Sequence, residues 1–500
     1  MPKFLPASLA LALSIPIGAM ADTTSDVRAL QKEMKAMRAD YEARLKALEQ
    51  RVKSAEAAAA APGTATAKTP ASPTATAGTA AAGTATAPAD TWSPPTTVAQ
   101  PSPQATPAAP ATSAAPAAVA SAGGGGGANA FNPALSLILS GGYTHTTRDP
   151  ADYRITGFPL PPGAEIGPGT RNFSLGETEL GFSASVDPWF RGAANISVAA
   201  DNSVSIEEAF VETTALGKGF TLKGGRFFSG VGYLNPQHSH TWDFVDAPLA
   251  YQAMLGTQYG DDGVQLKWLA PIDQYLELGA ELGRGRTFPG SDKDGNGAGM
   301  YALYAHTGGD IGASNSWRAG ISMLNAKASD QTLTGVDAAG LPFASQFTGN
   351  SRVWVLDGVW KWAPNGNATR TNFKLQGEYL RSQRDGSMVV AADGSALPSP
   401  YGVTQSGWYL QGVYQFMPAW RIGLRTEQLD PGTPSFGLDT GLAGTGYRAK
   451  KNSIMLDYNP SEFSRIRLQF AQDRAREGKP DNQISLQYQM SLGAHGAHSY

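Results

Sequence analysis

A short segment in the middle of the chain carries the residues best suited to chemistry. His238 and His240 lie two positions apart, and Asp243 and Asp246 follow them closely. Imidazole and carboxylate groups are ligands that zinc and similar divalent metals accept. The same groups also line and brace a polar constriction without any metal, and spacing alone does not separate these interpretations. We predict a constriction with no metal and no other cofactor, and His238 and His240 are the weak candidates for a metal site.

The sequence lacks the motifs of common enzyme classes. It contains no H-E-x-x-H, G-x-S-x-G or Walker-type phosphate loop, so no metalloprotease, serine hydrolase or nucleotide-binding activity is indicated. Cysteine is absent, which removes disulfides and thiolate metal sites. The balance of 39 basic and 42 acidic residues gives a net charge of -3 and no reason to expect a nucleic-acid partner. We therefore expect a protein that is not an enzyme.

The first residues are typical of a secretory signal. Lys3 precedes a mainly apolar stretch that ends at Ile17, and the small-residue pattern from Ala19 to Ala21 matches a cleavage site. Residues 1–21 are therefore predicted to be a signal peptide. Beyond them no apolar run reaches the ~18 residues that a membrane-spanning helix needs, so insertion into a membrane would have to use strands.

An N-terminal extension follows the signal. Within residues 22–56, apolar positions recur at alternating spacings of three and four, which predicts a periplasmic coiled coil of two or three helices. A solitary amphipathic helix is the alternative, although such a helix is marginally stable in water. Residues 57–130 are almost entirely Ala, Pro, Thr, Ser and Gly and are predicted to be a disordered linker. This extension would suit a tether to peptidoglycan or another periplasmic partner.

Residues 131–500 show the alternation of a membrane barrel. In the last segment Ile484, Leu486 and Tyr488 share one face, while Ser485 and Gln487 lie on the other. Sixteen such segments can be counted, with connections that alternate between short and long. The sequence therefore predicts an all-β fold, a 16-stranded antiparallel transmembrane β-barrel with an N-terminal helical coiled-coil extension. Four of the predicted strands span residues 314–325, 351–363, 371–384 and 405–417.

A barrel of this size leaves room for an aqueous lumen. The longest connection, from Gly230 to Asp261, is predicted to fold inward and narrow it. Its polar residues and the inward positions of the strands give the predicted pore-lining and constriction set: Arg226, Tyr233, His238, His240, Trp242, Asp243, Asp246, Lys267, Glu281, Arg421, Arg425, Arg465 and Arg467. The last four suggest a wall that attracts anions, and ordinary solvation with cross-strand ion pairing is the alternative.

The stretch that leads into this loop carries a family resemblance. Residues 225–235 read GRFFSGVGYLN and residues 242–249 read WDFVDAPL. Both resemble the strand and inward loop of outer-membrane porins related to the phosphate-selective family, including proteins often labelled TonB-dependent receptors. The resemblance covers residues 131–500 and implies a homotrimeric channel embedded in the lipid of the cell outer membrane. The lysine ladder of true phosphate selectivity is not recognisable in this chain.

These patterns predict a porin-like channel for the diffusion of small hydrophilic or anionic solutes. An outer-membrane receptor or uptake protein for a metal or siderophore is an alternative. An energised receptor needs a folded plug and a barrel of about 22 strands, and residues 22–130 offer only a coiled coil and a linker. A structural tether to the cell wall is the third possibility, and it is compatible with transport.

Overall fold

The computed structural model describes residues 133–292, 294–336, 341–390, 397–437 and 444–493, together with Lys46. The predicted signal peptide and linker lie outside these residues, as does the predicted coiled coil apart from Lys46. Among the described residues, no helix is long and apolar enough to cross a bilayer.

Alternating apolar and polar residues form antiparallel strands throughout the described region, because side chains of successive strand residues point to opposite faces. One short helix, α1, spans Leu249–Leu255. The strands are β1 Ala134–Thr146, β2 Asn172–Leu175, β3 Thr178–Ser185, β4 Phe190–Val198, β5 Val204–Thr213, β6 Phe220–Phe228, β7 Gly260–Leu269, β8 Tyr275–Gly283, β9 Met300–Ile311, β10 Asn315–Val336, β11 Pro342–Trp362, β12 Asn372–Val389, β13 Ser399–Met417, β14 Trp420–Asp430, β15 Lys450–Ser461, β16 Ser464–Arg474 and β17 Asp481–Gly493.

These segments close into one barrel. From β3 to β17 each strand pairs with the next, and β1 pairs with β17 from Ser136 opposite Gly493 to Thr146 opposite Gln483. Both β2 and β3 pair with β1, so they form one barrel strand that is interrupted at Gly176 and Glu177. The prediction of a closed 16-stranded antiparallel barrel is confirmed. Closure leaves no unpaired sheet edge, which is the condition for strands to cross a bilayer.

The outer surface of the barrel is apolar. On β14, for example, Ile422 and Leu424 point outward and are exposed, whereas Arg421 and Arg425 point into the barrel. Outward Leu, Ile, Val, Phe, Tyr and Trp side chains recur on nearly every strand. A continuous apolar band of this extent would be unfavourable in water and suits the hydrocarbon of a bilayer.

Four neighbouring strands are longer than predicted. β10 to β13 contain 22, 21, 18 and 19 residues, and segments that were expected to be loops continue as paired hairpins. On β10 the alternation persists beyond Asn325, where Leu333 is buried inside while Lys327 and Thr332 are exposed outside. The outward residues there are polar rather than apolar. The apolar alternation therefore ends before the strands do, at the level where the barrel wall leaves the apolar band.

The apolar band predicts where a charge will be costly. Leu424 is 60% exposed on the outer face of β14, and Leu424→Arg should destabilise folding into phospholipid vesicles by about 2–4 kcal/mol, the cost of arginine near the bilayer midplane. Gln428→Arg lies on the same face nearer the rim and should cost about 0–1 kcal/mol. Equal losses in the free energy of unfolding of the two variants, measured by urea titration, would contradict this placement of the apolar band.

Candidate functional site

The connection between β6 and β7, residues 229–259, lies inside the barrel as predicted. We call it the inward loop. It enters at Gly230, where a Cβ atom would lie 2.6 Å from Cζ of Tyr304, so only glycine permits this close approach to the wall. All seven residues of α1 are buried. The apolar side chains of the inward loop pack with those of the wall strands into one core inside the barrel; the wall members include Leu324, Val353, Val355, Leu380 and Leu429.

The first loop, residues 147–171, covers the inward loop. Ile155, Phe158 and Leu160 belong to the same buried core. The backbone N–H of Gly167 donates to Oε1 of Gln252 on α1 at 2.9 Å. The inward loop is therefore packed against the wall on one side and against the first loop on the other.

Glutamates of the wall bind the backbone of the inward loop. Glu378 on β12 accepts hydrogen bonds from the N–H groups of Tyr233 and Leu234 at 3.1 and 3.0 Å. Buried N–H groups need such partners because they have lost water. Two further wall glutamates do the same: Glu281 accepts from Gly230 at 2.8 Å and Glu427 accepts from Leu249 at 2.5 Å. The backbone of the inward loop is thus fixed at three separated points.

Two aspartates of the inward loop bind basic groups of the wall. Asp246 lies 2.5 Å from Nζ of Lys451 and 2.8 Å from Nη2 of Arg425, and Asp243 forms ion pairs with Lys374 and Arg421. Burial alone would raise the pKa of Asp246, but Lys451 and Arg425 lower it below its usual range. The aspartate is therefore held in its charged form.

Arginines on β16 bind carbonyl oxygens of the inward loop. Arg465 donates to the carbonyl of His240 at 2.9 Å, and Arg467 donates to the carbonyl of Trp242 at 3.0 Å. Arg467 also forms a bidentate pair with Asp457, at 2.7 and 3.0 Å, and is only 1% exposed. Arg421 reaches the same Asp457 at 2.5 Å.

The predicted anion-attracting wall of Arg421, Arg425, Arg465 and Arg467 is therefore wrong in its main point. These residues do point inward, but their guanidinium groups are bound by carboxylates and carbonyl oxygens of the protein. Arg421, Arg425 and Arg467 are paired with carboxylates, and Arg465 is bound by carbonyl and amide oxygens, so their principal role is to hold the inward loop. The alternative interpretation, ion pairing within the lumen, describes them better.

A second group of contacts lies between the inward loop and strands β3 to β5. We call His238, His240, Glu179, Glu207 and Glu208 the histidine–glutamate cluster. Nδ1 of His238 lies 3.4 Å from Oε2 of Glu179 and 3.1 Å from Oε2 of Glu207, while its Nε2 lies 3.0 Å from Oε2 of Glu208. Nδ1 of His240 lies 2.9 Å from Oε2 of Glu179. Burial alone would lower the pKa of His238, but the three glutamates raise it well above its usual value.

A β-bulge positions two of these glutamates. In the β4–β5 pairing, Asn195 lies opposite Glu208 and Ile196 lies opposite Ile206, so Glu207 is the additional residue. Such an insertion re-aims side chains locally. It brings the carboxylates of Glu207 and Glu208 to the same imidazole, a juxtaposition that regular alternation would have prevented.

The remaining predicted residues are placed differently from one another. Arg226 does not line the lumen: it shares the outward face of β6 with Leu222 and pairs with Asp262 at 2.6 Å. The parity of the strand carries it to that face, so the prediction was wrong. Lys267 points inward, is half-buried and forms no hydrogen bond or ion pair within the described part of the chain. Trp242 is buried and donates its indole N–H to the carbonyl of Gln237 at 2.9 Å.

Sequence reasoning missed several residues of this site. Lys451 is 0% exposed and central to the binding of Asp246. Its spacing of six from Asp457 on β15 places both on the inward face, so alternation could have found it. Glu207 and Glu208 carry no such signal, because the bulge breaks the alternation that would have sorted them.

No family model matches the chain. An uncharacterized protein of Aquifex aeolicus strain VF5 is 31% identical over 396 residues, which cover 74% of this chain and 80% of that protein. The chain belongs to the family of this Aquifex protein. That relative has no named activity, so the resemblance to phosphate-selective porins stays a prediction.

Several solved structures share a broad likeness with the chain. A loop-deletion mutant of OmpT, an outer membrane protein of Vibrio cholerae, has a TM-score of 0.44 at 10% identity, covering 73% of this chain and 100% of that one. The outer membrane channel DcaP of Acinetobacter baumannii has a TM-score of 0.42 at 11% identity, covering 72% and 97%. The anion-selective porin from Comamonas acidovorans has a TM-score of 0.43 at 10% identity, covering 72% and 99%.

The contacts of Asp246 predict that its removal will loosen the inward loop. Asp246→Ala leaves Lys451 and Arg425 with too little negative charge in a buried place, and breaking such a pair costs about 3–5 kcal/mol. We expect a lower urea midpoint and faster thermolysin cleavage within residues 229–259. Asp201→Ala, in an exposed turn, is the matched control. Equal cleavage rates in both variants would show that Asp246 does not hold the inward loop.

Proposed function

We propose that this chain is a constricted outer-membrane channel for small hydrophilic solutes, with a preference for anions. The observation that carries the proposal is the inward loop, which crosses the lumen of a wide barrel and is fixed by buried polar contacts on several sides. A loop held by that many contacts narrows a passage permanently. The same contacts would oppose the movement of a plug that has to leave the lumen during transport.

The preference for anions rests on cations that the inward loop leaves free. Lys267, Lys223 and Arg318 point inward, and none of them forms an ion pair with another described residue. Lys223 lies 4.1 Å above the ring of Phe210, and Arg318 lies 5.1 Å above the ring of Tyr233. Charged groups that face a lumen tune its selectivity. The carboxylates of the histidine–glutamate cluster lie close to Lys223, and Asp357 lies close to Arg318, so the preference rests mainly on Lys267.

The proposal includes a homotrimer in the outer membrane with its N-terminal extension in the periplasm. The outward residues on β3 to β5 include Ala184, Gly192, Ala194 and Ala209, which are smaller than the outward residues of most other strands. A wall of small residues allows close approach between barrels. The extension would then serve as a tether, through peptidoglycan or another periplasmic partner, and the channel would act without an enzymatic step.

Uptake of a metal complex or siderophore is the alternative function. It would need an energised displacement of whatever closes the lumen. The inward loop, however, is continuous with two wall strands and is held by wall residues on β8, β12, β14, β15 and β16. This arrangement favours passive diffusion.

Single-channel recording tests the channel directly. The purified full chain in planar bilayers should give discrete conductance steps, grouped in threes if the trimer is correct. Deletion of residues 22–130 should leave the steps unchanged, since the conducting path lies in the barrel. The complete absence of conductance in both proteins would overturn the proposed function.

Lys267 provides the test of selectivity. Because it has no ion-pair partner in the described structure, Lys267→Gln should fold normally and shift the reversal potential in a KCl gradient away from anion selectivity. The shift should grow at low salt, since screening extends over about 8 Å at 0.15 M. Lys479→Gln, at an exposed turn, should leave the potential unchanged. A cation-selective wild-type channel would refute the anion preference.

A further inference from the structure

The histidine–glutamate cluster contains more negative charge than its surroundings balance. Glu177 lies beside the glutamates of the cluster: it accepts a hydrogen bond from the hydroxyl of Ser239 and shares another with Glu207, which requires a proton on one of these two carboxyl groups. Two imidazoles and the nearby Lys223 are the cationic groups that face these carboxylates. With both imidazoles neutral, as metal ligands must be, Lys223 alone opposes three carboxylates.

Burial makes this imbalance costly. The side chains of His240 and Glu179 are 5% and 8% exposed, and those of His238, Glu207 and Glu208 are between 13% and 16% exposed. Desolvated carboxylates are tolerated when they are paired or when they coordinate a metal. A divalent cation would supply the missing positive charge and would allow both imidazoles to be neutral ligands.

The distances suit a small tetrahedral ion. A zinc ion lies about 2.0–2.2 Å from nitrogen and oxygen ligands, which places neighbouring ligand atoms roughly 3.3–3.6 Å apart. Oε2 of Glu179 lies 3.4 Å from Nδ1 of His238 and 2.9 Å from Nδ1 of His240. The ligand atoms of these three residues all lie within 4.8 Å of one another. The two Glu179 distances would change by only a few tenths of an ångström, and the two imidazole nitrogens would have to approach each other by about 1 Å at most.

Glu207 and Glu208 both contact His238. Oε2 of Glu207 lies 3.1 Å from the same Nδ1 atom of His238 that faces Glu179, but Glu207 is outside the set of ligand atoms that lie within 4.8 Å of one another. Oε2 of Glu208 lies 3.0 Å from the opposite nitrogen, Nε2. A carboxylate that accepts the proton of the second ring nitrogen fixes the tautomer and strengthens a histidine ligand.

We propose that the cluster binds one divalent transition-metal ion of the zinc type through His238, His240 and Glu179, with Glu208 orienting His238 and the fourth position open to water. This site does not depend on the channel function. It joins the inward loop to β3 and β5, whereas Asp243 and Asp246 join the same loop to β12, β14 and β15. The ion would therefore fasten the part of the inward loop that those aspartates do not reach.

Metal binding by the folded full chain tests the proposal. Because His495 and His498 near the C terminus could also bind zinc, all measurements use a His495→Ala/His498→Ala background. Equilibrium dialysis with Zn²⁺ and elemental analysis should give one ion per chain. Co²⁺ in place of zinc should give the intense visible bands of tetrahedral coordination. Neither Mg²⁺ nor Ca²⁺ should compete, because both prefer sites made wholly of oxygen ligands.

Variants separate coordination from folding. His240→Gln should abolish stoichiometric zinc binding, and Glu208→Gln should weaken it by about 10–100-fold, as loss of an orienting partner does. His306→Gln is the matched control, because His306 is also inward and lies 3.4 Å from a glutamate, Glu277; it should bind zinc normally. Heat-modifiable gel migration identifies folded barrels. Unchanged zinc binding in folded His240→Gln, no binding by the background protein, or equal competition by Ca²⁺ would each overturn the site.

Discussion

The ion pairs between Asp246, Lys451 and Arg425 are the constraint on which the interior of this barrel depends. A segment that crosses a lumen loses the water that would solvate its backbone and its charges. Side chains of the barrel wall must therefore supply a hydrogen-bond or ion-pair partner for each polar group that has lost water. Buried aspartates therefore meet buried cations, and three wall glutamates accept hydrogen bonds from the backbone. The apolar core around α1 is possible only because these polar requirements are met at its borders.

The barrel itself was predictable from the sequence because its physics is periodic. Alternation of outward apolar and inward polar residues recurs along most of the barrel strands, and an antiparallel sheet that pairs all its edges must close with an even number of strands. The lengths of β10 to β13 were missed for a related reason. Outside the apolar band both faces of a strand can be polar or small, so the pattern that marks a strand there is pairing, which one sequence does not display.

The site was only partly predictable. Composition and position drew attention to the inward loop and to most of its polar residues, since a long connection rich in His, Asp and Trp stands out. Their partners come from strands that are distant in sequence, and no spacing rule links Asp246 to Lys451 or His240 to Glu179. The bulge at Glu207 breaks the alternation from which the direction of its side chain would have been predicted. Arg226 follows the alternation, which places it on the outer face although it was predicted to line the lumen. The sign of the charges was also a poor guide to anion binding, because carboxylates and carbonyl oxygens of the protein already bind the arginines that suggested an anion-attracting wall.

The direction of the chain gives these contacts a consequence for assembly. The inward loop follows β6, but most of the residues that hold it lie on β8, β12, β14, β15 and β16, which come later in the chain. The loop therefore cannot reach its final position until the C-terminal half of the barrel has formed around it. Contacts between residues so distant in sequence carry a large closure entropy and form slowly. Seating of the loop and joining of β1 to β17 would then be late and mutually dependent events in the biogenesis of this protein.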